Sequence, residues 1–369
     1  MAGLIKREDV DAVRERARIE DIIGAHVTLK PAGVGSLKGL CPFHDERTPS
    51  FNVRPATGRY KCFGCGEGGD VITFVEKIDG LSFAEAVEHL AAMVGVELRY
   101  EDSRTGALQA GQGQRGPDAG TRQRLFAANA AAADFYAAQL LTGEAALARK
   151  MLFDRSFDRA DAERFGVGYA PNVDKGWDNL ARYLQGKGFT QAELKAAGLV
   201  LDGKRPGSMY DRFRGRLIWP IRDTTGAVVG FGARRLYDDD QGPKYLNTPE
   251  TPLYKKAKVL YGIDLAKKAI AATKRVVVVE GYTDVMAAHL SGIESAVATC
   301  GTAFGAEHAR TVERFFHGDR SARLTFTFDG DSAGQAAAVH AYEVVRDLPL
   351  VLQAALVPGG MDPCDLRMA

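Results

Sequence analysis

The chain has 369 residues, of which 26% are charged and 46% are hydrophobic, an ordinary composition for a soluble globular protein of two or three domains. No apolar run approaches the roughly 20 residues of a membrane-spanning helix, and the N-terminus lacks the apolar core of a signal peptide, so we expect a cytoplasmic protein. Five cysteines, three of them close to one histidine, favour a metal site over a disulfide framework.

The first hundred residues are predicted to form a small module of helices and strands. Apolar residues recur at helical spacing in four stretches. Two other stretches alternate between apolar and polar residues, with a Pro-Ala-Thr-Gly turn between them, as in a β-hairpin. The sequence therefore predicts helices over residues 5–17, 19–23, 71–78 and 83–94, and strands over 50–54 and 59–63.

Four metal-binding side chains stand in two pairs of the same spacing. Two residues separate Cys41 from His44, and two separate Cys62 from Cys65. Two such pairs can complete a tetrahedron, so three thiolates and one imidazole predict a closed structural zinc site with no open position for catalysis. The alternative is three unrelated buried cysteines and a surface histidine. We expect the metal to hold together a ribbon too small for a core of its own.

Aromatic and basic residues are interleaved around this zinc ribbon. On a small sheet that combination suits single-stranded nucleic acid, whose bases stack on rings and whose phosphates pair with cations. For any one of the rings, packing around the ribbon is the favoured alternative. The aromatic residues are Phe43, Phe51, Tyr60, Phe63 and Phe74, and the basic ones are Lys38, Arg47, Arg54, Arg59 and Lys61.

A polar, glycine-rich segment over residues 101–121 follows, and its composition predicts a flexible linker. Gly230-Phe231-Gly232, further on, resembles part of a dinucleotide-binding turn, but no third glycine opens a helix, so that signal is weak. Between these two segments, periodicity predicts helices over 122–141, 144–152, 158–165, 177–187 and 191–197, and then strands over 216–221 and 227–232.

Charge is distributed unevenly in the second half of the chain. Residues 204–275 contain 16 Lys and Arg against 7 Asp and Glu, whereas residues 276–369 contain 6 against 12. The net charge of +1 hides this difference. A basic segment followed by an acidic one suits a polyanion that lies on one face while metal-assisted chemistry occurs at the other.

The last hundred residues are predicted to form an α/β layer. Four successive valines, Val276 to Val279, predict a strand covered on both faces, as in a parallel sheet, and Asp284 opens an apolar helix. Further strands are predicted over 293–299, 324–328 and 350–357, with a helix over 306–316 and an alanine-rich helix from Ser332.

Carboxylates directly follow two of these strands. Glu280 follows the valines, and Asp329 and Asp331 follow the strand over 324–328. Ligands of open α/β sheets bind beyond the carboxyl ends of the strands, and three clustered carboxylates repel one another unless a cation lies between them. The sequence therefore predicts a hard divalent metal at this edge. The alternative, a solvated turn at 329–331, is disfavoured by the strand before it and the helix start after it.

The residues around these carboxylates resemble the TOPRIM domain, which bacterial primases, topoisomerases and some nucleases share. Its marks are a Glu after a hydrophobic strand and a later Asp-x-Asp after another. Zinc ribbon, linker, basic domain and carboxylate-rimmed domain, in that order, resemble the bacterial DnaG-type primase. Motifs at 41–51, 60–66, 213–223, 230–234, 243–251, 280–284 and 329–334 carry this resemblance over nearly all of the chain outside the linker.

The resemblance implies a multidomain α/β protein that is a nucleotidyltransferase. It would synthesise short RNA primers on single-stranded DNA from ribonucleoside triphosphates at replication forks, giving an RNA–DNA primer duplex. The implied cofactors are one structural Zn²⁺ and two or more Mg²⁺, for which Mn²⁺ can substitute. The expected domains are a zinc ribbon with flanking helices over 1–100, the linker over 101–121, a mixed α+β basic domain over 122–260 and a Rossmann-like TOPRIM domain over 261–369.

By similarity, Glu280, Asp329 and Asp331 are catalytic, and they bind Mg²⁺ together with Asp284 and Asp362. The family commonly has Asp-Pro-Asp at the last position, whereas this chain has Asp362-Pro363-Cys364-Asp365. Either Asp365 supplies the second carboxylate or that ligand is missing. A basic ridge that guides template and nucleotide phosphates corresponds to Arg155, Arg234, Lys244, Tyr245 and Lys256.

In this family the replicative helicase binds a C-terminal helical domain, for which this sequence has no segment. We therefore expect that recruitment of the protein by the helicase is weak or lost. We also expect a monomer. Cys300 and Cys364 are expected to be small buried residues rather than ligands. His289 and His308 are expected to lie on helix surfaces or to be hydrogen-bonded structural residues.

Two alternatives stay open. One is a topoisomerase- or nuclease-like TOPRIM enzyme, which would need a further catalytic domain that no large segment could form. The other is a zinc-bearing nucleic-acid-binding protein with an inactive carboxylate site. Against it, an inactive site has no physical reason to keep three carboxylates that repel one another.

Overall fold

The computed structural model describes residues 5–44, 46–79, 81–96, 98–100, 119–316, 318–328, 339, 341–343, 345–346, 350–356 and 363–368. The chain divides into two compact units, residues 1–120 and 121–369. Most of the linker predicted over 101–121, the carboxylates Asp329, Asp331 and Asp362, and the first residues of the helix predicted from Ser332 lie outside the described residues.

The first unit is a five-stranded antiparallel sheet with four helices. Its strands are ordered β1-β2-β3-β4-β5, so every strand pairs with its neighbour in the chain. The elements are α1 (Arg7–Arg16), α2 (Ile19–Gly24), β1 (Lys30–Pro31), β2 (Leu37–Gly39), β3 (Phe51–Arg54), β4 (Arg59–Cys62), β5 (Gly68–Gly69), α3 (Val71–Asp79) and α4 (Phe83–Val94).

The hairpin β3–β4 shows the alternation that its sequence predicts. Phe51, Val53, Tyr60 and Cys62 are buried on one face, and the residues between them lie towards the other. Gly58 closes the turn with a φ of +60°, a left-handed conformation that disfavours residues with a Cβ. The helices predicted in this unit agree with the structure to within two residues at each end.

This unit has a hydrophobic core that its helices and its ribbon form together. The buried face of the sheet packs against the helices, and Val13, Ile23, Phe51, Phe74 and Val87 are fully buried there. The four helices supply the apolar side chains that the ribbon alone lacks. Zinc is therefore not the sole source of order in this unit.

The second unit contains a four-stranded antiparallel sheet, a two-stranded sheet and a five-stranded mixed sheet. Its elements are α5 (Ala119–Leu140), α6 (Ala146–Phe153), α7 (Arg159–Phe165), β6 (Gly168–Ala170), α8 (Asn179–Gly186), α9 (Gln191–Ala196), β7 (Val200–Asp202), β8 (Met209–Asp211), β9 (Arg216–Arg222), β10 (Val228–Arg235), β11 (Tyr245–Asn247), β12 (Leu260–Tyr261), α10 (Ile263–Thr273), β13 (Arg275–Val279), α11 (Tyr282–Leu290), β14 (Ala296–Thr299), α12 (Ala306–Phe316), β15 (Arg323–Phe328), β16 (Val351–Leu356) and α13 (Pro363–Met368).

The four-stranded sheet, which we call the basic sheet, has the order β11-β10-β9-β6. Strands β9 and β10 are buried on both faces over most of their length, with Trp219 and Phe231 fully inaccessible. Helix α5 begins at Ala119, so the last residues of the predicted linker are helical. Strands β6, β7, β8, β11 and β12 were not predicted, because two or three residues are too few to show an alternation.

The mixed sheet has the order β12-β14-β13-β15-β16. Strand β13 is parallel to both β14 and β15, and β15 is parallel to β16, as the valine-rich pattern predicts; the edge strand β12 is antiparallel. Helix α10, which was not predicted, precedes β13. The multidomain α/β fold class is therefore confirmed. Among the described residues, no helix is both long and apolar enough to cross a membrane.

Candidate metal centres and nucleic-acid interface

The structure brings the two predicted ligand pairs of the first unit together. Ligand atoms of Cys41, His44, Cys62 and Cys65 all lie within 4.8 Å of one another. Zn–S bonds of about 2.3 Å in a tetrahedron separate two sulfur atoms by about 3.8 Å. The Sγ atoms of Cys41 and Cys65 are 3.8 Å apart. The donor set and its spacing therefore fit one tetrahedral zinc ion.

The surroundings shift the pKa values of two of these thiols in opposite directions. Burial raises the pKa of the Cys41 thiol. Burial also acts to raise the pKa of the Cys62 thiol, but hydrogen bonds from Ser50 and from backbone N–H groups outweigh it and leave this pKa below its ordinary value. A bound cation would favour the thiolate form of all three cysteines.

Residues outside the ligand set hold the zinc ligands in position. Glu46 accepts hydrogen bonds from the backbone N–H of Cys41, at 2.8 Å, and of Ser50, at 3.0 Å. Its other carboxylate oxygen lies 3.5 Å from Nε2 of His44, whose Nδ1 lies 3.9 Å from Cys62 Sγ. This arrangement favours metal binding through Nδ1 and a hydrogen bond from Nε2–H to Glu46. Sequence reasoning assigned no role to Glu46 or Ser50.

The outer face of the same sheet is basic. Cross-strand pairing places Lys38, Asn52 and Lys61 in one row, and Arg54 opposite Arg59. The predicted aromatic residues lie elsewhere: Phe51, Tyr60 and Phe74 are buried, and their rings contact one another and Phe43. Core packing, the alternative favoured for these rings, is therefore the observed arrangement. Phe63, between two zinc ligands, is the exception at 73% exposure.

In the second unit, Glu280 and Asp284 lie at the carboxyl end of β13. Glu280 directly follows the strand and is exposed. Asp284 is buried, and its Oδ2 accepts a hydrogen bond of 2.8 Å from the backbone N–H of Gly281. Strands β13 and β15 are parallel neighbours, so Val279 and Phe328, their last residues, end at the same edge of the sheet.

Three residues of the predicted basic ridge lie together on the basic sheet. Arg234 and Tyr245 are cross-strand partners on β10 and β11, and Lys244 directly precedes Tyr245. The Arg234 guanidinium carbon lies 5.8 Å, and Lys244 Nζ 5.9 Å, from the centre of the Tyr245 ring. Both cations are thus close enough to the same ring to be attracted to its face.

A groove of about 330 Å³ lies beside Arg234. Arg155 also lines it, so the structure brings these two predicted ridge residues to one place. Nη1 of Arg234 is buried, and no described residue is its hydrogen-bond partner. A buried guanidinium nitrogen without an acceptor is unfavourable, and an anionic ligand would supply one. The remaining lining residues are Leu147, Lys150, Met151 and Asp154.

Lys256, the last predicted ridge residue, lies in the loop before β12. Its backbone N–H donates to Glu250, and its carbonyl accepts a hydrogen bond of 2.9 Å from Nε2 of His308. His308 is buried, and Nδ1 accepts the Gly305 N–H, so this ring is a structural link. His289 is also buried and bonds a backbone carbonyl. Of the two alternatives expected for these histidines, a helix surface or a hydrogen-bonded structural role, both residues show the second.

Cys300 and Cys364 are buried, as expected for small core residues. Asp365 is exposed in the first turn of α13, a helix that packs against α11. It therefore lies on an element in contact with the helix that carries Asp284.

A further candidate site, which sequence reasoning missed, contains Trp177, Tyr210 and Arg214. Trp177 is 56% exposed, and its ring is edge-on to Tyr210 with 6.1 Å between centres. The Arg214 guanidinium carbon lies 5.0 Å from both ring centres. We call these three residues the tryptophan platform. Trp177 lay inside a predicted helix, which begins only at Asn179, so periodicity gave no signal of an exposed ring.

Three protein families match successive parts of the chain. Residues 5–106 match the CHC2 zinc finger, 135–267 the N-terminal domain of the DNA primase catalytic core, and 274–355 the Toprim domain. These matches follow the order in which the zinc ligands, the basic sheet and the mixed sheet occur.

Relatives of known name agree with these matches. A Streptomyces coelicolor DNA primase is 56% identical over the whole chain. The RNA polymerase domain of Mycobacterium tuberculosis primase DnaG, in complex with double-stranded DNA, is 55% identical with a TM-score of 0.63, over 67% of this chain and 76% of that one. The chain belongs to the family of DnaG-type bacterial primases.

Both units occur together in another family member. The Aquifex aeolicus primase, comprising zinc-binding and RNA polymerase domains, is 30% identical with a TM-score of 0.61, over 97% of this chain and 81% of that one. The chain covers 56% of the length of the Streptomyces coelicolor relative. Membership of this family sets aside the topoisomerase- and nuclease-like alternatives.

Proposed function

We propose that the chain is a DNA primase, a DNA-templated RNA polymerase that makes short RNA primers on single-stranded DNA. One contact carries the proposal. The rings of Tyr245 and Tyr282 lie 6.5 Å apart between centres, and Tyr282 follows Glu280 by two residues. This contact supports a site in which the basic ridge lies next to the edge that carries Glu280, so that a phosphorylated substrate can react beside a metal.

The carboxylate edge would hold the divalent metals. Glu280, Asp284, Asp329, Asp331 and Asp362 are the proposed ligands of two or more Mg²⁺, and oxygen donors suit that ion or Mn²⁺. When bound, the metals would lower the pKa of the attacking 3′-hydroxyl and neutralise the leaving pyrophosphate. Asp284, through its bond to Gly281, also fixes the turn that carries Glu280. The exposed position of Asp365 on α13 supports it as the second late carboxylate.

The groove beside Arg234 would take the triphosphate of the incoming ribonucleotide. The unpartnered Nη1 of Arg234 supports this, because a phosphate oxygen is the acceptor that it lacks. Arg155 lines the same groove and adds positive charge, whereas the charge of Lys150 is paired with that of Asp154 at 2.7 Å. Lys244 and Lys256 would contact further phosphates of the substrate or template.

The template would use surfaces on both units. The basic outer face of the zinc sheet can pair with phosphates, and the tryptophan platform can stack a base between phosphate contacts. Zinc would act structurally, since its four protein ligands leave no open position. We further propose that the protein acts in the cytoplasm at replication forks, as a monomer, and that a replicative helicase is its partner there.

Primer elongation tests this function without depending on initiation. The substrate is single-stranded DNA carrying an annealed RNA primer, with labelled ribonucleotides and Mg²⁺. We expect labelled RNA from the unaltered chain, and at least about 1,000-fold less from Glu280→Gln, because loss of a metal ligand removes transition-state charge stabilisation.

The matched control is Glu313→Gln, which changes a carboxylate on helix α12 away from the edge. It should keep full activity. Template binding without elongation by the unaltered chain would favour the alternative of a nucleic-acid-binding protein with an inactive site. Full activity of Glu280→Gln would contradict the proposed metal centre.

A further inference from the structure

We propose that Tyr282 is a positioning residue that sets the distance between the carboxylate edge and the basic ridge. This inference rests on the proposed function, because it assigns a task to a residue between the two halves of that site. Tyr282 lies at the start of α11 and is 5% exposed. Its side chain crosses from the mixed sheet to the basic sheet, where three residues hold it.

These three residues form one row across the basic sheet. Cross-strand pairing aligns Asn247 on β11 with Gly232 on β10, and Gly232 with Trp219 on β9. The Tyr282 hydroxyl donates a hydrogen bond of 2.7 Å to Oδ1 of Asn247. Its ring is stacked on Trp219 with 5.2 Å between centres and 11° between planes.

Gly232 provides the space in the middle of this row. A Cβ added there would lie 2.1 Å from both Cζ and Oη of Tyr282, closer than any real contact. The φ of Gly232 is not in the left-handed region, so the close approach of the phenol, rather than backbone conformation, accounts for this glycine. The sheet therefore contains a recess that fits the tyrosine side chain.

Other contacts prevent the ring and its partners from shifting. Tyr261 meets the Tyr282 ring edge-on at 4.8 Å between centres, and the Trp219 indole N–H lies 3.3 Å from Sδ of Met286, one turn further along α11. Asn247 in turn donates to the carbonyl of Cys300, at 2.7 Å, just after β14. The basic sheet is thus joined to the ends of two strands of the mixed sheet.

The two halves of the proposed active site, the carboxylate edge and the basic ridge, are each only a few residues along the chain from these contacts. Glu280 precedes Tyr282 by two residues. On β10 and β11, the row two residues from Gly232 and Asn247 is the pair Arg234 and Tyr245, which therefore lies on the same face. A rotation of the Tyr282 side chain would change the separation of Glu280 and Arg234. In reactions that depend on alignment, a misplacement of about 1 Å can lower the rate about 100-fold.

The test compares Tyr282→Phe with Tyr136→Phe, on α5. Both remove one buried phenol hydroxyl, but among the described residues the Tyr136 hydroxyl has no hydrogen-bond partner. In primer elongation we expect Tyr282→Phe to lower kcat about 10- to 100-fold while KM for ribonucleotide stays unchanged. Its unfolding temperature should fall by a few degrees, because Oδ1 of Asn247 loses its donor. Tyr136→Phe should leave kcat unchanged.

A second variant fills the recess from the other side. Gly232→Ala should lower kcat at least as much. The Leu side chain has three carbons and one oxygen fewer than the Tyr side chain, so the Gly232→Ala, Tyr282→Leu double variant should lose no more kcat than Tyr282→Leu alone. Additive losses, or a kcat of Tyr282→Phe within twofold of the unaltered chain, would overturn the inference. If Tyr282→Phe is unaffected while Glu280→Gln is inactive, the proposed function stands and only the positioning role fails.

Discussion

The two units each present an exposed aromatic ring near basic side chains, and they hold it in different ways. In the first unit, Phe63 lies between two zinc ligands, Cys62 and Cys65, so the metal site fixes its loop. In the second unit, a backbone hydrogen bond holds Trp177. Its carbonyl accepts a hydrogen bond of 2.7 Å from the backbone N–H of Asp211, on the neighbouring strand.

Asp211 also fixes the helix that follows Trp177. Its buried carboxylate accepts hydrogen bonds from the backbone N–H groups of Leu180 and Ala181, at 2.8 and 2.9 Å. Asp178, the residue before α8, makes no capping bond with its side chain. The chain would thus order a loop with a bound zinc ion in one unit, and orders one with a buried carboxylate in the other. Removing a zinc ligand and removing the Asp211 carboxylate should therefore affect the stability of the chain differently.

Removing a zinc ligand should have the largest effect. Cys62→Ser should release zinc, whose binding to small zinc modules is worth about 10–16 kcal/mol. We expect the unfolding transition of the first unit to fall sharply and that of the second to stay unchanged, measured by metal content and calorimetry. Cys300→Ser, which alters a buried thiol of the second unit, should retain zinc.

The same variant tests whether the units are separable. Because the first unit has a helical core, Cys62→Ser should leave its helices partly ordered. Loss of both unfolding transitions together would show instead that zinc supports the whole chain.

Removing the charge of Asp211 should have a smaller effect that depends on pH. Burial raises the pKa of this carboxyl from 3.8 to about 6. The folded state then binds the proton more tightly than the unfolded state, so the stability that this group contributes is fully present below pH 3.8 and is lost as the pH rises through about 6. The loss amounts to about 3 kcal/mol.

Asp211→Asn removes this titration. The free energy of unfolding of the variant, minus that of the unaltered chain, should therefore increase between pH 4 and pH 7. Denaturant unfolding at several pH values measures it. A difference that is constant over this range would contradict the account of Asp211.

Removing the exposed ring itself should have the smallest effect. Trp177→Ala should weaken binding of single-stranded DNA about tenfold at fixed salt, since one base stacked on an aromatic ring contributes about 1–3 kcal/mol. Ile293→Ala, which changes an exposed apolar residue of the same unit, is the matched control. Equal affinities of the two variants, measured by fluorescence anisotropy, would remove the tryptophan platform from the template path.

The sequence could predict the sites whose residues lie close together along the chain. Cys41, His44, Cys62 and Cys65 form two short pairs, so spacing alone was enough to name them. The valines of β13 likewise predicted a buried parallel strand and the position of Glu280. Long helices such as α4 and α12 were predicted to the residue at both ends, because apolar periodicity extends over three turns.

The remaining features depend on contacts between distant segments. Tyr282 meets Asn247 from 35 residues away, and Trp177 depends on a strand more than 30 residues further on. No local pattern encodes such pairings. Gly232 is an example: the sequence there resembles a dinucleotide-binding turn only weakly, and it carries no signal of the recess for a tyrosine ring that the structure shows.

The most direct test of the proposed catalytic centre is a titration with Mn²⁺ followed by electron paramagnetic resonance, on the unaltered chain and on Asp329→Asn. The account predicts at least two bound Mn²⁺ ions in the unaltered chain, fewer in the variant, and one zinc ion retained in both. Equal Mn²⁺ binding by the two proteins would contradict the assignment of the divalent metals to the carboxylate edge.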